Sequence, residues 1–201
     1  MTGSPVAMNN APPLVLASTS PFRRELLQRL GIPFTVAAPD VDESVLPGET
    51  PAALVERLSE SKARAVGATH AGLIIGSDQV ATTGDDILGK PGSHEKAVEQ
   101  LQWLAGKTVT FHTGLCLLDT AANTVQLDVV PFGVEFRQLG TPQIERYLRS
   151  EQPYNCAGSF KSEALGITLF RRMCGDDPTA LIGLPLIRLT DMLAVAGISL
   201  P

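Results

Sequence analysis

Cysteine and histidine are scarce in this chain of 201 residues, which has three of each. The cysteines, Cys116, Cys156 and Cys174, are widely spaced and form no Cys-x-x-Cys pair. This argues against a disulfide framework or a structural zinc site, and we expect all three to be core or loop residues. The histidines lack metal-ligand spacing and accompany no recognisable nucleophile motif. The sequence therefore disfavours catalytic-triad chemistry.

The chain also lacks a net positive charge and long apolar runs. The formal net charge of -5 argues against binding along a nucleic-acid backbone, although it allows a local basic pocket for a small anion. No run approaches the roughly 18 apolar residues of a membrane span. Residues 1–13 lack both segments of a signal peptide, so we predict a flexible N-terminal tail there. We predict a single cytoplasmic domain over residues 14–201.

Apolar runs and helix-start signals alternate along the chain, which predicts an α/β fold with a mixed twisted sheet flanked by helices. The predicted strands are 14–17, 34–37, 73–76, 108–118, 125–137 and 167–170, with a tight turn at 84–86. The predicted helices begin after the capping signals Ser20-Pro21, Thr50-Pro51, Ser93 and Thr141-Pro142, and after Pro185. The two long strands, rich in Val, Thr and Phe, suit an antiparallel pair.

Residues 14–31 are the most informative segment, because a buried strand is followed at once by a polar turn and a helix. Free amide groups at the helix start and the positive end of its dipole face the same crevice as Ser18, Ser20, Arg23 and Arg24. Arginine adds forked donors that match phosphate oxygens. An ordinary capped helix with solvated arginines is the alternative for this segment alone. The segment predicts an anion site.

Further polar residues complement this segment. Asp78 and Gln79 follow the apolar strand 73–76, where ligands bind in such sheets, and an acidic cluster stands at 40–43. Lys62 and Lys90 add cations. Each of these features has an ordinary alternative. The acidic cluster could be a solvated loop, Lys62 a charge on a helix surface, and Lys90 a turn residue. Mg²⁺ prefers carboxylates together with substrate phosphate oxygens, so the combination predicts a site for a polyphosphate and a divalent cation.

Six segments together resemble the Maf family of nucleoside triphosphate pyrophosphatases, and specifically its YceF-like subfamily acting on 7-methyl-GTP. They are LASTSPFRRELL, APDVDES, SKA at 61–63, IIGSDQV, GKP and CAGSFKSE. The resemblance covers nearly everything from Leu14 to Gly197. It implies a fold like that of Maf and inosine triphosphatase proteins, with two lobes around a central cleft. It also implies hydrolysis of the α–β phosphate bond with a divalent cation, Mg²⁺, Mn²⁺ or Co²⁺, and is compatible with a homodimer.

The resemblance also implies roles for individual residues. Asp78 is similar to the catalytic residue of the family, as general base or as metal ligand, and Glu43 matches an acidic position near the metal. The predicted phosphate-binding residues, of which Ser20 and Arg24 come from the local argument above, are Ser18, Ser20, Arg23, Arg24, Lys62 and Lys90. Three positions separate subfamilies, Phe22, Gln79 and Glu163. In the dTTP/UTP-specific branch these positions look like Arg, Thr and Gln instead, so the residues of this chain point away from that branch. Close YceF-like members often carry Trp where Phe22 stands.

The predicted specificity residues suit a methylated guanine. A carboxylate such as Glu163 accepts hydrogen bonds from both N1–H and the exocyclic amine of guanine. Methylation at N7 makes the ring cationic, which favours a carboxylate and an aromatic face such as Phe22. The alternative for Glu163 is an ion pair with Lys161.

Two rival functions use the same pocket. One is a broader house-cleaning pyrophosphatase acting on ITP, XTP or other modified nucleotides, which a nucleotide panel distinguishes. The other is a nucleotide-sensing division regulator without turnover, which would bind nucleotide tightly and release no pyrophosphate with Mg²⁺ or Mn²⁺. The full set of acid, metal-binding and lysine residues favours catalysis.

Overall fold

The computed structural model describes residues 12–84 and 86–201. The strands in these ranges are β1 (Leu14–Ala17), β2 (Thr35–Ala37), β3 (Leu73–Thr83), β4 (Asp86–Leu88), β5 (Thr108–Asp119), β6 (Thr124–Phe136) and β7 (Phe170–Cys174). The α-helices are α1 (Pro21–Gln28), α2 (Pro51–Gly67), α3 (His94–Leu104), α4 (Thr141–Glu151), α5 (Pro178–Ile182) and α6 (Leu186–Val195). The predicted α/β class with a mixed sheet is confirmed. None of the helices in these ranges is both long and apolar enough to cross a membrane.

The strands form one sheet in the order β2-β1-β3-β5-β6-β7, with β4 also paired to β3. Strand β1 is parallel to both of its neighbours, β2 and β3. The pairs β3 with β5, β5 with β6 and β6 with β7 are antiparallel. The predicted end of the third strand at Gly76 is wrong, because β5 pairs with β3 as far as Thr82. Asp78 therefore lies within β3, just past the point where the shorter β1 ends opposite Gly76.

Helix α2 packs on the sheet at unusually close range. A Cβ atom on Gly76 would lie 2.1 Å from the Ser59 carbonyl oxygen, and one on Gly114 would lie 2.3 Å from that of Val55. Only glycine fits at these two strand positions, because the helix backbone occupies the space of a side chain. This contact fixes the height of α2 above β3.

Two of the three hydrophobic cores formed by the described residues define two lobes. One core joins β1, β3 and β5 to α1 and α6 through buried residues such as Leu16, Leu26, Leu115 and Met192. The other joins β5 and β6 to α3 and α4, and contains Phe136, which packs edge-on against Phe160 and Phe170. A cleft lies between the lobes, as the family resemblance implied.

Two local predictions differ from the structure, and one short helix was not predicted. The predicted strand at 167–170 is wrong, since Leu165–Leu169 is a 3-10 turn and β7 begins at Phe170. Gly166 explains the turn: a Cβ there would lie 2.2 Å from the Lys161 carbonyl oxygen. Thr141 does not cap α4, because the N-cap is Gly140, without a side-chain bond. The short α5, capped by Asp177, was not predicted. Residues 1–11 of the predicted tail, and residue 85 of the predicted turn, lie outside the described residues.

Candidate active site

A cavity of about 680 Å³ lies in the cleft and brings together residues from both lobes. The predicted site residues that line it are Ser18, Ser20, Phe22, Arg23, Glu43, Lys62, Asp78, Gln79, Lys90 and Glu163. Arg24 does not line the cavity: its side chain is exposed on α1. Of the two adjacent arginines, only Arg23 therefore faces the cavity, and the prediction that both do is not met.

Lys62 is the centre of a charged cluster at the base of the cavity. Its ammonium nitrogen lies 2.5 Å from Asp78 Oδ1 and 2.6 Å from Glu43 Oε1. Lys62 is only 6% exposed, which excludes the surface-charge alternative considered for it. A buried ammonium between two carboxylates keeps the negative charges close together at a tolerable electrostatic cost. The cluster joins α2, β3 and the loop before α2.

Asp78 is held in place through its own backbone. Its amide donates to Ser59 Oγ at 2.9 Å, and the Ser59 hydroxyl donates to the Val55 carbonyl at 2.6 Å. Both partners belong to α2, the helix that carries Lys62. The contact between α2 and β3 therefore sets the positions of both the Asp78 carboxylate and the Lys62 ammonium group.

Arg23 lines the cavity from the N-terminal end of helix α1. Ser20 caps this helix by accepting from the Arg23 amide, and Ser18 Oγ accepts from the Ser20 amide at 3.2 Å. The guanidinium donates through Nε to the Gly183 carbonyl at 2.7 Å. Burial lowers the pKa of Arg23 from its ordinary value, while Asp78 and Glu43 raise it again in part. Arginine stays protonated even when it is buried, so Arg23 places a positive charge beside the start of α1.

Gln79 makes its contacts with α5. Its side-chain nitrogen donates to the Ala180 carbonyl at 2.7 Å, to the Leu181 carbonyl at 3.1 Å and to Thr113 Oγ1 at 2.9 Å. Gln79 borders the cavity, but these bonds direct its amide hydrogens toward the protein. Since α5 also supplies Leu181 and Ile182 to the lining, this helix is a part of the site that sequence reasoning missed.

The second lobe contributes Lys90 and the segment 155–163. Lys161 Nζ donates to the Glu151 carbonyl at 3.0 Å, whereas the Glu163 carboxylate accepts from the Ser162 hydroxyl at 3.2 Å. The ion pair between Lys161 and Glu163 considered above is therefore replaced by these separate contacts. Sequence reasoning also missed Asn155, Cys156 and Lys161 as lining residues. The signal was available, because Cys156 and Lys161 stand in the same CAGSFKSE segment as Glu163.

The arrangement suits a polyanion. Arg23, Lys62 and Lys90 come from three separate segments and share the cavity with the start of α1, the positive end of that helix dipole. Guanidinium and ammonium groups and the positive end of a helix dipole all favour phosphate oxygens. The apolar lining from Phe22, Leu181 and neighbouring side chains offers room for a flat ring beside the charged end.

The chain is a mixed α/β protein whose fold is similar to that of a HAM1 protein. The structure of a HAM1 protein from Coxiella burnetii matches with a TM-score of 0.51 and 14% identity, covering 92% of this chain and 99% of that chain. More closely, residues 13–196 match the family of Maf-like proteins, and the chain belongs to this family.

Close relatives carry one shared name. A protein of Nitrosococcus oceani named 7-methyl-GTP pyrophosphatase is 59% identical over 93% of this chain and 95% of its own length. A protein of Pseudomonas fluorescens with the same name is 57% identical over 94% of this chain and 99% of its own length. The family and the enzyme class that the sequence motifs indicated are confirmed.

Proposed function

We propose that this protein hydrolyses 7-methyl-GTP between the α- and β-phosphates, releasing 7-methyl-GMP and pyrophosphate in the cytoplasm. The observation that carries the proposal is the convergence of Arg23, Lys62 and Lys90 with Asp78 and Glu43 in one cavity. The names of the relatives that are 59% and 57% identical support the choice of substrate.

The cationic residues bind the triphosphate. Arg23 and the positive end of the α1 dipole hold one end of the chain of phosphates, where Ser18 and Ser20 add hydroxyl groups. Lys90 approaches from the second lobe, so a triphosphate in the cleft is held from two sides. Positioned cations of this kind stabilise the charge that builds up on the departing pyrophosphate, which is often the largest catalytic contribution.

Glu43 and Asp78 are the residues that would hold a divalent cation. Their oxygens converge within 2.6 Å of one ammonium nitrogen, so both carboxylates already face the same small volume. Within residues 12–84 and 86–201, no group of three or more His, Cys, Asp or Glu side chains is arranged so that it could hold a metal ion. One or two carboxylates plus substrate phosphates is the usual arrangement for Mg²⁺, and oxygen donors also accept Mn²⁺ or Co²⁺. Such a cation would neutralise the phosphates and acidify a bound water.

Asp78 acts at the reacting centre, either by taking the proton of the attacking water or by holding the cation. The water oxygen forms a bond to the α-phosphorus as the bond from that phosphorus to the bridging oxygen breaks. The electron pair leaves with pyrophosphate, next to Lys62, Arg23 and Lys90. The proton released by the water passes to the Asp78 carboxylate or to solvent.

Glu163 and Phe22 select the base. Both line the cavity, on opposite lobes. The Glu163 carboxylate would accept from N1–H and the amine of guanine, and the Phe22 ring would stack on the cationic methylated ring. A uracil offers no matching pair of donors, so the wrong base leaves polar groups unpaired.

Pyrophosphate release from a panel of nucleotides tests this proposal. We expect 7-methyl-GTP to be cleaved with a higher kcat/KM than GTP, ITP, XTP, UTP or dTTP, and only when a divalent cation is present. Preferred cleavage of ITP or XTP would replace the substrate with those of a house-cleaning enzyme. Tight binding of nucleotide with no release of pyrophosphate would instead indicate a sensor.

A further inference from the structure

Arg57 of α2 has no part in the chemistry above, yet it makes a dense set of contacts with the loop that carries Glu43. This acidic loop, residues 38–50, joins the end of β2 to the start of α2. Residues 42–48 are all exposed, and Val45 and Leu46 are 55% and 51% exposed. Since the loop buries so little apolar surface, its position depends on polar contacts.

The contacts of Arg57 join both ends of the loop's exposed part. Its Nε donates to Glu49 Oε1 at 2.6 Å and its Nη2 donates to Glu49 Oε2 at 2.8 Å, a two-point ion pair. The same Nη2 donates to the Ser44 carbonyl at 2.9 Å, one residue beyond Glu43. Glu49 Oε2 in turn accepts from the Leu46 amide at 3.0 Å. Arg57 therefore fixes the backbone immediately after Glu43.

This ion pair differs from an ordinary surface pair. The Arg57 and Glu49 side chains are 30% and 7% exposed, and the hydrogen bond from Arg57 lowers the pKa of Glu49 from 4.5 to about 2. By comparison, Arg64 and Glu60 on the same helix form a single-point pair with 49% and 32% of their side chains exposed. Planar two-point pairs hold a defined geometry, whereas exposed single-point pairs rarely do.

We propose that Arg57 is a positioning residue that holds the Glu43 carboxylate next to Lys62 and Asp78. Arg57 and Lys62 lie on one helix, so the loop is attached to the same rigid element that carries the ammonium group. Glu43 itself is 60% exposed, and without this attachment its loop samples other positions. The proposal rests on the proposed function, in which Glu43 serves the reaction.

The test compares four variants with the wild-type protein: Arg57→Gln, Glu43→Gln, the double variant, and Arg64→Gln as the matched control. We expect Arg57→Gln to lower kcat for 7-methyl-GTP by about tenfold, with KM within about twofold because Arg23 and Lys90 are untouched. The double variant should be no slower than Glu43→Gln alone, since both changes remove one contribution. Arg64→Gln should leave kcat within about twofold of the wild type.

Amide hydrogen exchange gives a second result that does not depend on turnover. In the protein without nucleotide, Arg57→Gln should raise exchange in residues 44–49, and Arg64→Gln should not. Independent, multiplicative losses in the double variant, or unchanged exchange in Arg57→Gln, would overturn the proposal. If the wild type fails to cleave 7-methyl-GTP, the proposed function is wrong, and the exchange comparison still decides whether Arg57 positions the loop.

Discussion

Replacing Gly76 with alanine should separate α2 from the sheet and disable the charged cluster at the same time. The added Cβ would lie 2.1 Å from the Ser59 carbonyl oxygen and 2.9 Å from the Ala63 amide nitrogen, both on the backbone of α2. An ordinary contact is about 3.4 Å, so the helix must retreat by about 1.3 Å near Lys62. Overpacking of this kind costs roughly 1–3 kcal/mol of stability.

The same displacement predicts the effect on activity. Lys62 and the hydroxyl that holds the Asp78 amide both belong to α2, and a misplacement of about 1 Å in an active site costs about 100-fold in rate. Urea denaturation measures the free energy of unfolding, and pyrophosphate release measures kcat/KM. Gly133→Ala on β6 is the control, because its Cβ would meet nothing closer than 3.5 Å. If the two variants match in stability and kcat/KM, the close helix contact does not position the site.

Three other predictions concern separate parts of the molecule. Glu163→Gln should reduce the preference for 7-methyl-GTP over UTP by at least about tenfold in kcat/KM, and an unchanged preference would remove Glu163 from base selection. At pH 8, alkylation followed by mass spectrometry should find exposed Cys174 modified first and Cys156 protected by nucleotide. Buried Cys116, whose pKa burial raises to about 12, should react only after unfolding; Cys156 modification unaffected by nucleotide would place the ligand elsewhere. Because the pKa of Glu49 is lowered, its ion pair stabilises the fold above pH 4.5, and this stabilisation is lost as the pH falls through about 2. Glu49→Gln should therefore unfold at lower urea than the wild type at pH 7, and the difference should shrink steadily from pH 4.5 to pH 2. A difference as large at pH 2 as at pH 7 would exclude the ion pair as its source.

Local signals in the sequence were sufficient where structure is set by neighbours in the chain. Strand β1, the Ser20 cap and the start of α1 follow from an apolar run, a hydroxyl and a proline, and all lie where they were predicted. The antiparallel pair β5 and β6 follows in the same way from two long β-rich runs joined by a short turn. Helix α5 has only five residues, too few for a helical period to show.

Contacts between distant segments decided what the sequence could not show. The sequence does not distinguish the roles of Arg23 and Arg24, which are adjacent residues of the same type. In the structure Arg23 lines the cavity, and its Nε donates to the carbonyl of Gly183, 160 residues later. Lys62 stands at helical spacing from Val55 and Leu58, on the buried face of α2, but the sequence does not show which partner its charge meets there. The sheet register places Asp78 beside it and makes Lys62 a buried ion-pair partner. Strand β3 runs past Gly76 because its pairing with β5 continues there, which no local pattern records.

Pyrophosphate release by Asp78→Asn, measured beside nucleotide binding by the same variant, tests the central claim most directly. If the cavity holds the triphosphate through its cations and cleaves it at Asp78, the variant should fold and bind 7-methyl-GTP while its kcat falls by about a thousandfold. A folded variant that releases pyrophosphate at a rate within about tenfold of the wild type would contradict the account.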